Sequence, residues 1–418
     1  MVYKGHYGKG LRGPEMRNVG LARSLISQGH QVSLAARSFD ASLFSHELNF
    51  VAVRNIYQMF ITMFKSDVIV LHGGGPLILI GAILVSFFGK KIVLDGYVPH
   101  WIELDEVMHK TQTSWILSAK SAFNAFRSLL AVFVFDLIVV ANKRQVDLMR
   151  GFSAAFTRTK DFSKIQAIPF GCESYELRSR VDGLVLLNSI NKNQLALNES
   201  DFLVGWIGGT YGWFNLNSVV VAMADAFSQN KHIKLVFFGV LEEKQSELLR
   251  NLPEHLQSQI VFLPWVPFME RFKYWAAFDI SLVWGGQGYE NDYASRTRNF
   301  DCLSLGLPII QNEDDEWGER LVKHGAGIVT SQNQLSNDLL YISQNDDALK
   351  LLKNNMIQLA PNFYWDEFAK TLINAVQEVN TGFIRRLFGV LAMFTLLPAL
   401  LLFFIFDLVS QRTVREKS

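Results

Sequence analysis

The apolar positions of this chain fall into short runs separated by longer stretches of helical spacing. Residues 67–71, 91–94 and 136–141 are rich in Val, Ile and Leu and are bounded by polar residues or glycine. Such runs suit parallel strands covered on both faces. In residues 15–29, Val19, Ala22, Leu25 and Ile26 recur at helical spacing, so a helix is predicted there and a strand at 31–35. Residues 76–88 and 114–133 predict apolar helices. The first is too short to span a bilayer comfortably, so it reads as a core helix, with contact to a bilayer as its other use. Residues 174–200 are irregular and rich in Asn and Ser, with one apolar run at 184–187, and read as a connection. A second series then begins. It predicts strands at 203–207, 234–239, 260–263, 280–283, 308–311 and 327–329, with a helix at 216–229.

Two successive series of this kind predict an α/β protein with two doubly wound sheets facing a cleft. The expected boundaries are a first domain over 1–185, a linker over 186–200 and a second domain over 201–365. A closing helix over 366–381 and a hydrophobic tail over 382–418 complete the chain. Residues 1–3 alone precede the first glycine-rich loop. Either the opening strand is very short or the true start lies upstream.

Composition narrows the function. The 418 residues are 49% hydrophobic and 19% charged, enough to bury large cores. The formal net charge of +1 argues against nucleic acid as the main partner, which demands a basic excess. Cys172 and Cys302 are the two cysteines and fit neither a disulfide scaffold nor a metal spacing, consistent with a reducing compartment. The first residues are polar and glycine-rich, unlike a signal peptide. Residues 387–406 carry no charge, a length that suits a bilayer-spanning or deeply inserted helix, with a buried C-terminal core helix as the alternative. Arg385 and Arg386 precede this run, and Arg412, Arg415 and Lys417 follow it, so the flanking charges set no orientation.

Five segments carry candidate chemistry. Lys4-Gly-His-Tyr-Gly-Lys-Gly-Leu-Arg-Gly-Pro14 leads into a helix. Its glycines let backbone approach a ligand, and the helix N-terminus favours an anion. Gly10, Arg12 and Gly13 are therefore candidates for an acceptor or phosphate loop, although a plain tight turn has the same composition. His72-Gly-Gly-Gly75 follows a strand, and so does Asp95 in Val93-Leu-Asp-Gly-Tyr-Val-Pro-His100. Ligands bind outside the carboxyl ends of such strands, so His72, Asp95 and His100 are candidates for acceptor contact, with a loop-stabilising hydrogen bond as the alternative. Trp206-Ile-Gly-Gly-Thr-Tyr-Gly-Trp213 offers the backbone of Gly208 and Gly209 to a pyrophosphate. Finally, residues 289–308 pack Glu290, Ser295, Arg296, Thr297, Arg298 and Asp301 between a strand and a helix. Arginine forks match phosphate oxygens, and carboxylates match ribose hydroxyls.

This last stretch, with its Gly306-Leu-Pro308, resembles the retaining nucleotide-sugar glycosyltransferases of family four, also called glycosyl transferases group 1. It is similar to a branch with a Ser-Arg-Thr-Arg segment before an acidic residue. Gly13-Pro-Glu-Met-Arg17, Ile168-Pro-Phe-Gly171, Gly208-Gly-Thr-Tyr-Gly-Trp-Phe214 and Trp265-Val-Pro-Phe-Met-Glu-Arg271 are similar to that branch too, so the likeness covers residues 4–380. The family's second glutamate falls on Asp301. Its first falls on Tyr293, with Glu290 three residues earlier. The family's usual Arg and Lys for the donor diphosphate are missing from residues 208–220, and Arg296 and Arg298 are expected to supply that charge.

The resemblance implies the GT-B fold, a nucleotide-sugar donor and retention of configuration. Asp95, Arg296 and Arg298 are the expected catalytic residues. Gly208, Gly209, Glu290, Ser295, Thr297 and Asp301 are the expected donor contacts. No Asp-x-Asp metal pair is present, no metal or other cofactor is expected, and the acidic run at 313–316 reads as a solvated loop. With the tail, these features point to a glycan or polyprenyl-linked acceptor, to cell-surface polysaccharide synthesis in a bacterium, and to the cytoplasmic face of its membrane. A nucleotide-sugar epimerase of the same fold and an inactive membrane-tethered sugar-nucleotide-binding protein are the other readings.

Overall fold

In the computed structural model, residues 1–379 are described apart from 4–5, 9–10, 12, 41–47, 54, 73–74, 98, 111–114, 158–161, 176–178, 192–195, 211–213, 215, 287 and 314. Beyond them, residues 382, 384, 387, 388, 391, 398 and 402 are described. The chain divides into two compact units. One contains Met1–Phe170 together with the chain from Trp365 onward, and the other is Gly171–Tyr364.

The first unit is built on β1 (Val2–Tyr3), β2 (His6–Tyr7), β3 (Ser33–Ala36), β4 (Ser38–Phe39), β5 (Asn49–Ala52), β6 (Val68–His72), β7 (Lys91–Asp95), β8 (Leu137–Val140) and β9 (Ile165–Ala167). Seven of these form a parallel sheet in the order β5-β3-β1-β6-β7-β8-β9, and β2 pairs with β4 in a two-stranded ribbon. The opening strand is only two residues long, yet it sits mid-sheet: Val2 faces both Ala35 and Leu71, and Tyr3 faces His72. Central positions such as Ile69, Leu71, Ile92, Leu94, Ile138 and Val140 are buried with the apolar sides of the covering helices. Burial on both faces is why these strands read as continuous apolar runs. Strand β2 lies inside the glycine-rich loop expected at residues 4–14, and β4 follows the strand expected at 31–35.

Helix Trp365–Glu378 belongs to this unit. It packs on helix Gly13–Ser27, where a Cβ on Gly20 would lie 2.3 Å from the Trp365 ring. Ser24 Oγ donates to Asp366 at 2.6 Å and Lys91 Nζ to the Val376 carbonyl at 2.5 Å.

The second unit holds β10 (Phe202–Trp206), β11 (Ile233–Phe238), β12 (Ile260–Leu263), β13 (Ile280–Val283), β14 (Ile309–Asn312) and β15 (Gly327–Thr330). All are parallel, in the order β12-β11-β10-β13-β14-β15. The predicted strands are present within a residue or two. The predicted helix at 216–229 is two helices, Leu216–Ala222 and Ala224–Gln229.

The polar stretch at 174–200 contains a helix, Arg180–Ile190, capped by the Ser179 side chain on the Asp182 amide. This helix belongs to the second unit. A Cβ on Gly183 would lie 2.6 Å from the Ala277 amide nitrogen, and Arg180 holds both Asp279 oxygens at 3.0 and 2.9 Å. The division between units falls at Phe170, ahead of the expected boundary at 185, because this helix packs on helix Arg271–Trp275 of the second unit. Residues 387–406 lie for the most part outside the described residues. Among the described residues no helix is long and apolar enough to cross a membrane.

Candidate functional site

In both units the strand order reverses beside the first strand, between β1 and β6 and between β10 and β13. The crevice outside the carboxyl ends of the strands at such a reversal is where open α/β sheets bind ligands. Each unit gathers charged residues there.

In the first unit the focus is Arg17, which is fully buried on helix Gly13–Ser27. Its Nε donates to both Asp95 oxygens, at 3.0 and 2.8 Å. Its terminal nitrogens donate to the carbonyls of Pro169 at 2.7 Å and Ile168 at 2.9 Å. Its guanidinium also lies 5.2 Å from the centre of the Tyr97 ring. Asp95 ends β7 and is 2% exposed. Burial alone would raise its pKa, but the Arg17 charge and then the His72 hydrogen bond outweigh that, and the carboxyl is held at about 2. His72 ends β6, with Nδ1 3.5 Å from Asp95 Oδ2. Burial pushes its pKa down against the pull of Asp95, so the imidazole is neutral near pH 7. His100 opens helix His100–Lys110 and pairs with Glu103 at 3.2 Å.

Asp95, His72 and His100 are thus brought together, with His72 and His100 rings 6.5 Å apart. Asp95, however, spends both oxygens on Arg17. A carboxylate with so low a pKa is a weak proton acceptor at neutral pH. Arg17 stands in the Gly13-Pro-Glu-Met-Arg17 motif, where nothing local marks its role. A buried cation needs a buried partner, and only the fold shows which carboxylate that is. Gly13 begins its helix, while Gly10 and Arg12 lie outside the described residues.

In the second unit the loop after β10 meets the segment after β13. Gly208 has φ of +137°, a conformation that favours glycine. A Cβ there would lie 3.2 Å from Arg298 Nη2. That nitrogen donates to the Gly209 carbonyl at 3.0 Å. The Arg298 guanidinium also lies 4.6 Å from the Trp206 ring centre and 4.5 Å from that of Phe214. Arg298 is the second residue of helix Thr297–Leu305, so it is fixed beside a helix N-terminus, where the macrodipole favours anions. Ser295 and Thr297 flank this point and are half-buried.

Arg296 is placed differently. Its Nη2 donates to Glu290 at 3.1 Å and Asn291 at 2.8 Å, and its Nε donates to Asp315 at 3.2 Å. Two carboxylates surround one guanidinium, so its charge is already compensated. Asp315 belongs to the acidic run expected to be a solvated loop. It is instead 5% exposed, and its other oxygen caps helix Glu316–His324 by accepting from the Trp317 amide at 2.9 Å. The sequence signal for this was an Asp directly before a helix start. Asp301 is engaged too. Arg271 donates to it at 2.7 and 3.3 Å while lying 3.8 Å from the Phe268 ring centre and 4.0 Å from that of Phe272. The structure therefore brings Gly208, Gly209 and Arg298 together at the reversal, and commits Glu290, Arg296 and Asp301 to ion pairs beside it.

Comparison with solved structures places this architecture. WaaG, a glycosyltransferase involved in lipopolysaccharide biosynthesis, is similar with a TM-score of 0.59 and 13% identity, over 91% of this chain and 99% of that one. Anabaena HepE, solved with UDP-glucose, gives 0.64 and 14%, over 89% and 98%. Sucrose-phosphate synthase from Thermosynechococcus elongatus gives 0.65 and 13%, over 90% and 95%. No family model matches the sequence, and no curated protein matches it. At these identities the likeness is one of fold: the chain has the α/β, parallel-sheet GT-B fold of these glycosyltransferases.

Proposed function

We propose that the chain is a glycosyltransferase that takes a hexosyl group from a nucleoside diphosphate sugar and delivers it, with retention, to a glycan or lipid-linked acceptor. The observation that carries this reading is the Arg298 guanidinium lying on the Gly208–Gly209 loop at the strand-order reversal of the second sheet. A diphosphate leaving group gathers negative charge as the glycosidic bond breaks, and preorganised donors aimed at that charge lower the barrier. Arg298 supplies a fixed cation, the glycine loop supplies backbone that a phosphate can approach closely, and Ser295 and Thr297 supply hydroxyls for donor oxygens. Glu290, Arg296 and Asp301 act by holding this segment in place. Asp95 acts in the same way on Arg17 and His72, which leaves His72 and His100 as the acceptor-side groups. No metal enters this scheme.

The fold shared with HepE, solved with UDP-glucose, makes UDP-sugars the first donors to try. The uncharged run at 387–406 supports a site at the cytoplasmic face of a bacterial membrane and a part in cell-surface polysaccharide synthesis. Deleting residues 382–418 should then release the protein from membranes.

The test is a thermal-shift screen of the full chain against UDP-, GDP- and ADP-sugars, followed by an assay for nucleoside diphosphate release with glycan acceptors. At least one sugar nucleotide should raise the melting temperature, and release should require an acceptor. Conversion of the sugar nucleotide with no acceptor present would identify an epimerase instead. Binding without turnover across the acceptors would identify an inactive binding protein.

A further inference from the structure

Two helices of the first unit carry no charged residue. Helix Ile56–Phe64 reads IYQMFITMF and helix Pro76–Ser86 reads PLILIGAILVS. They pack on one another, with the Met59 methyl 3.3 Å from where a Cβ on Gly81 would be. Met59, Met63, Leu79, Ala82, Ile83 and Val85 supply the buried side. Apart from Gln58 and Thr62, the outward side is also apolar. Ile56, Tyr57, Phe64, Leu77, Leu84 and, just beyond the second helix, Phe88 are exposed, Tyr57 by 70% and Phe88 by 62%. A surface helix in water turns charged residues outward, and one that is apolar all round belongs in a core or in lipid.

The patch has a charged border. The Phe64 and Phe88 rings lie 5.1 Å apart, and Lys90 Nζ lies 6.0 Å from the Phe64 ring centre. Lys65 is exposed beside them. Asp67 is exposed as well and sits 3.6 Å from Lys90. The same edge receives the end of helix Trp365–Glu378, through the bond from Lys91 to Val376. Beyond that helix the sequence runs through Arg385 and Arg386 into the uncharged residues 387–406. An apolar face and a basic border therefore meet at one edge, and in the sequence the helix that ends there is followed by the uncharged run. An aromatic and aliphatic face bordered by lysine matches the interface of an anionic bilayer, where apolar area and lysine each add attraction.

We propose that the outward face of helices Ile56–Phe64 and Pro76–Ser86 seats in the interface of an anionic lipid bilayer. This contact is separate from the tail and does not depend on the glycosyltransferase reading. Both native cysteines are buried, so the full chain with Phe88→Cys accepts one environment-sensitive fluorophore at the patch. Val221→Cys, exposed in the second unit, is the control. With vesicles of phosphatidylcholine and phosphatidylglycerol, the label at 88 should brighten several-fold, shift to the blue and be quenched by lipid-borne nitroxide, while the label at 221 should not change. Lys65→Gln should lower partitioning roughly fivefold, the worth of one lysine near an anionic surface. Three results would each overturn the proposal: a label at 88 that stays in water while the protein sediments with vesicles, no vesicle binding at all, or a label already shielded before lipid is added. The last would mean that this face is covered by the chain's own tail or by a second copy.

Discussion

The two units share a strand order but use arginine differently at the point where that order reverses. In the first, Arg17 is closed on every side by Asp95, two backbone carbonyls and the face of Tyr97. In the second, Arg296 is closed in the same way by Glu290, Asn291 and Asp315, while two residues on Arg298 rests against a glycine loop and two aromatic rings. A guanidinium surrounded by carboxylates is a strut: it ties a helix to a strand and has little charge left for a ligand. The Arg298 guanidinium instead lies on a backbone carbonyl and two ring faces at the edge of the glycine loop. The acidic neighbours, more than the arginine itself, decide which role is played.

The largest effect expected from breaking this comparison is on stability in the first unit. Asp95→Ala leaves Arg17 buried without its counter-charge and should cost about 3–5 kcal/mol, measured by denaturant unfolding. A loss below about 1 kcal/mol would show that Arg17 does not depend on Asp95. Next comes Arg298→Ala. The fold should survive, as judged by its unfolding transition. Sugar transfer should fall roughly a hundred- to a thousandfold, the usual consequence of removing one preorganised donor. Unchanged turnover would move the diphosphate elsewhere.

The smallest effect is the response to acid. The Asp95 carboxyl is held at about 2 against an ordinary 3.8. The unfolded chain therefore binds this proton more readily, and the stability contributed by Asp95 is complete above about pH 4 and is lost as pH falls towards 2. It amounts to about 2 kcal/mol. The lowered pKa of buried His72 acts in the same direction at higher pH: stability falls as pH drops below the ordinary 6.5 of the unfolded residue. Unfolding free energy against pH should show both windows, and His72→Asn should remove the upper one and narrow the lower, since His72 helps to hold Asp95. A profile identical to that of the unaltered protein would show that His72 takes up its proton equally in the folded and unfolded chain.

Much of the fold was legible because strands covered on both faces are written as continuous apolar runs. The β10 to β15 series could be read almost residue by residue, and with it the glycine loop and the arginine segment at the reversal. What escaped notice was whatever depends on a partner distant in sequence. The helix Arg180–Ile190 looked like a linker because its charged and polar residues meet Asp279 and residues 276–277 only after folding. Asp315 looked solvated because Arg296, which buries it, lies nineteen residues earlier in the chain.

By itself, the sequence determined the two parallel sheets, the glycine turn at Gly208 and the arginine segment beside it, since these rest on local periodicity, on positive φ and on side-chain chemistry. The tertiary structure alone decided which charges are paired. Asp95, Glu290, Asp301 and Asp315 are equally acidic in the sequence, and each meets its arginine only after folding. Burial then makes an unpaired charge too costly to leave, and an ion pair across the fold is what removes it from the chemistry.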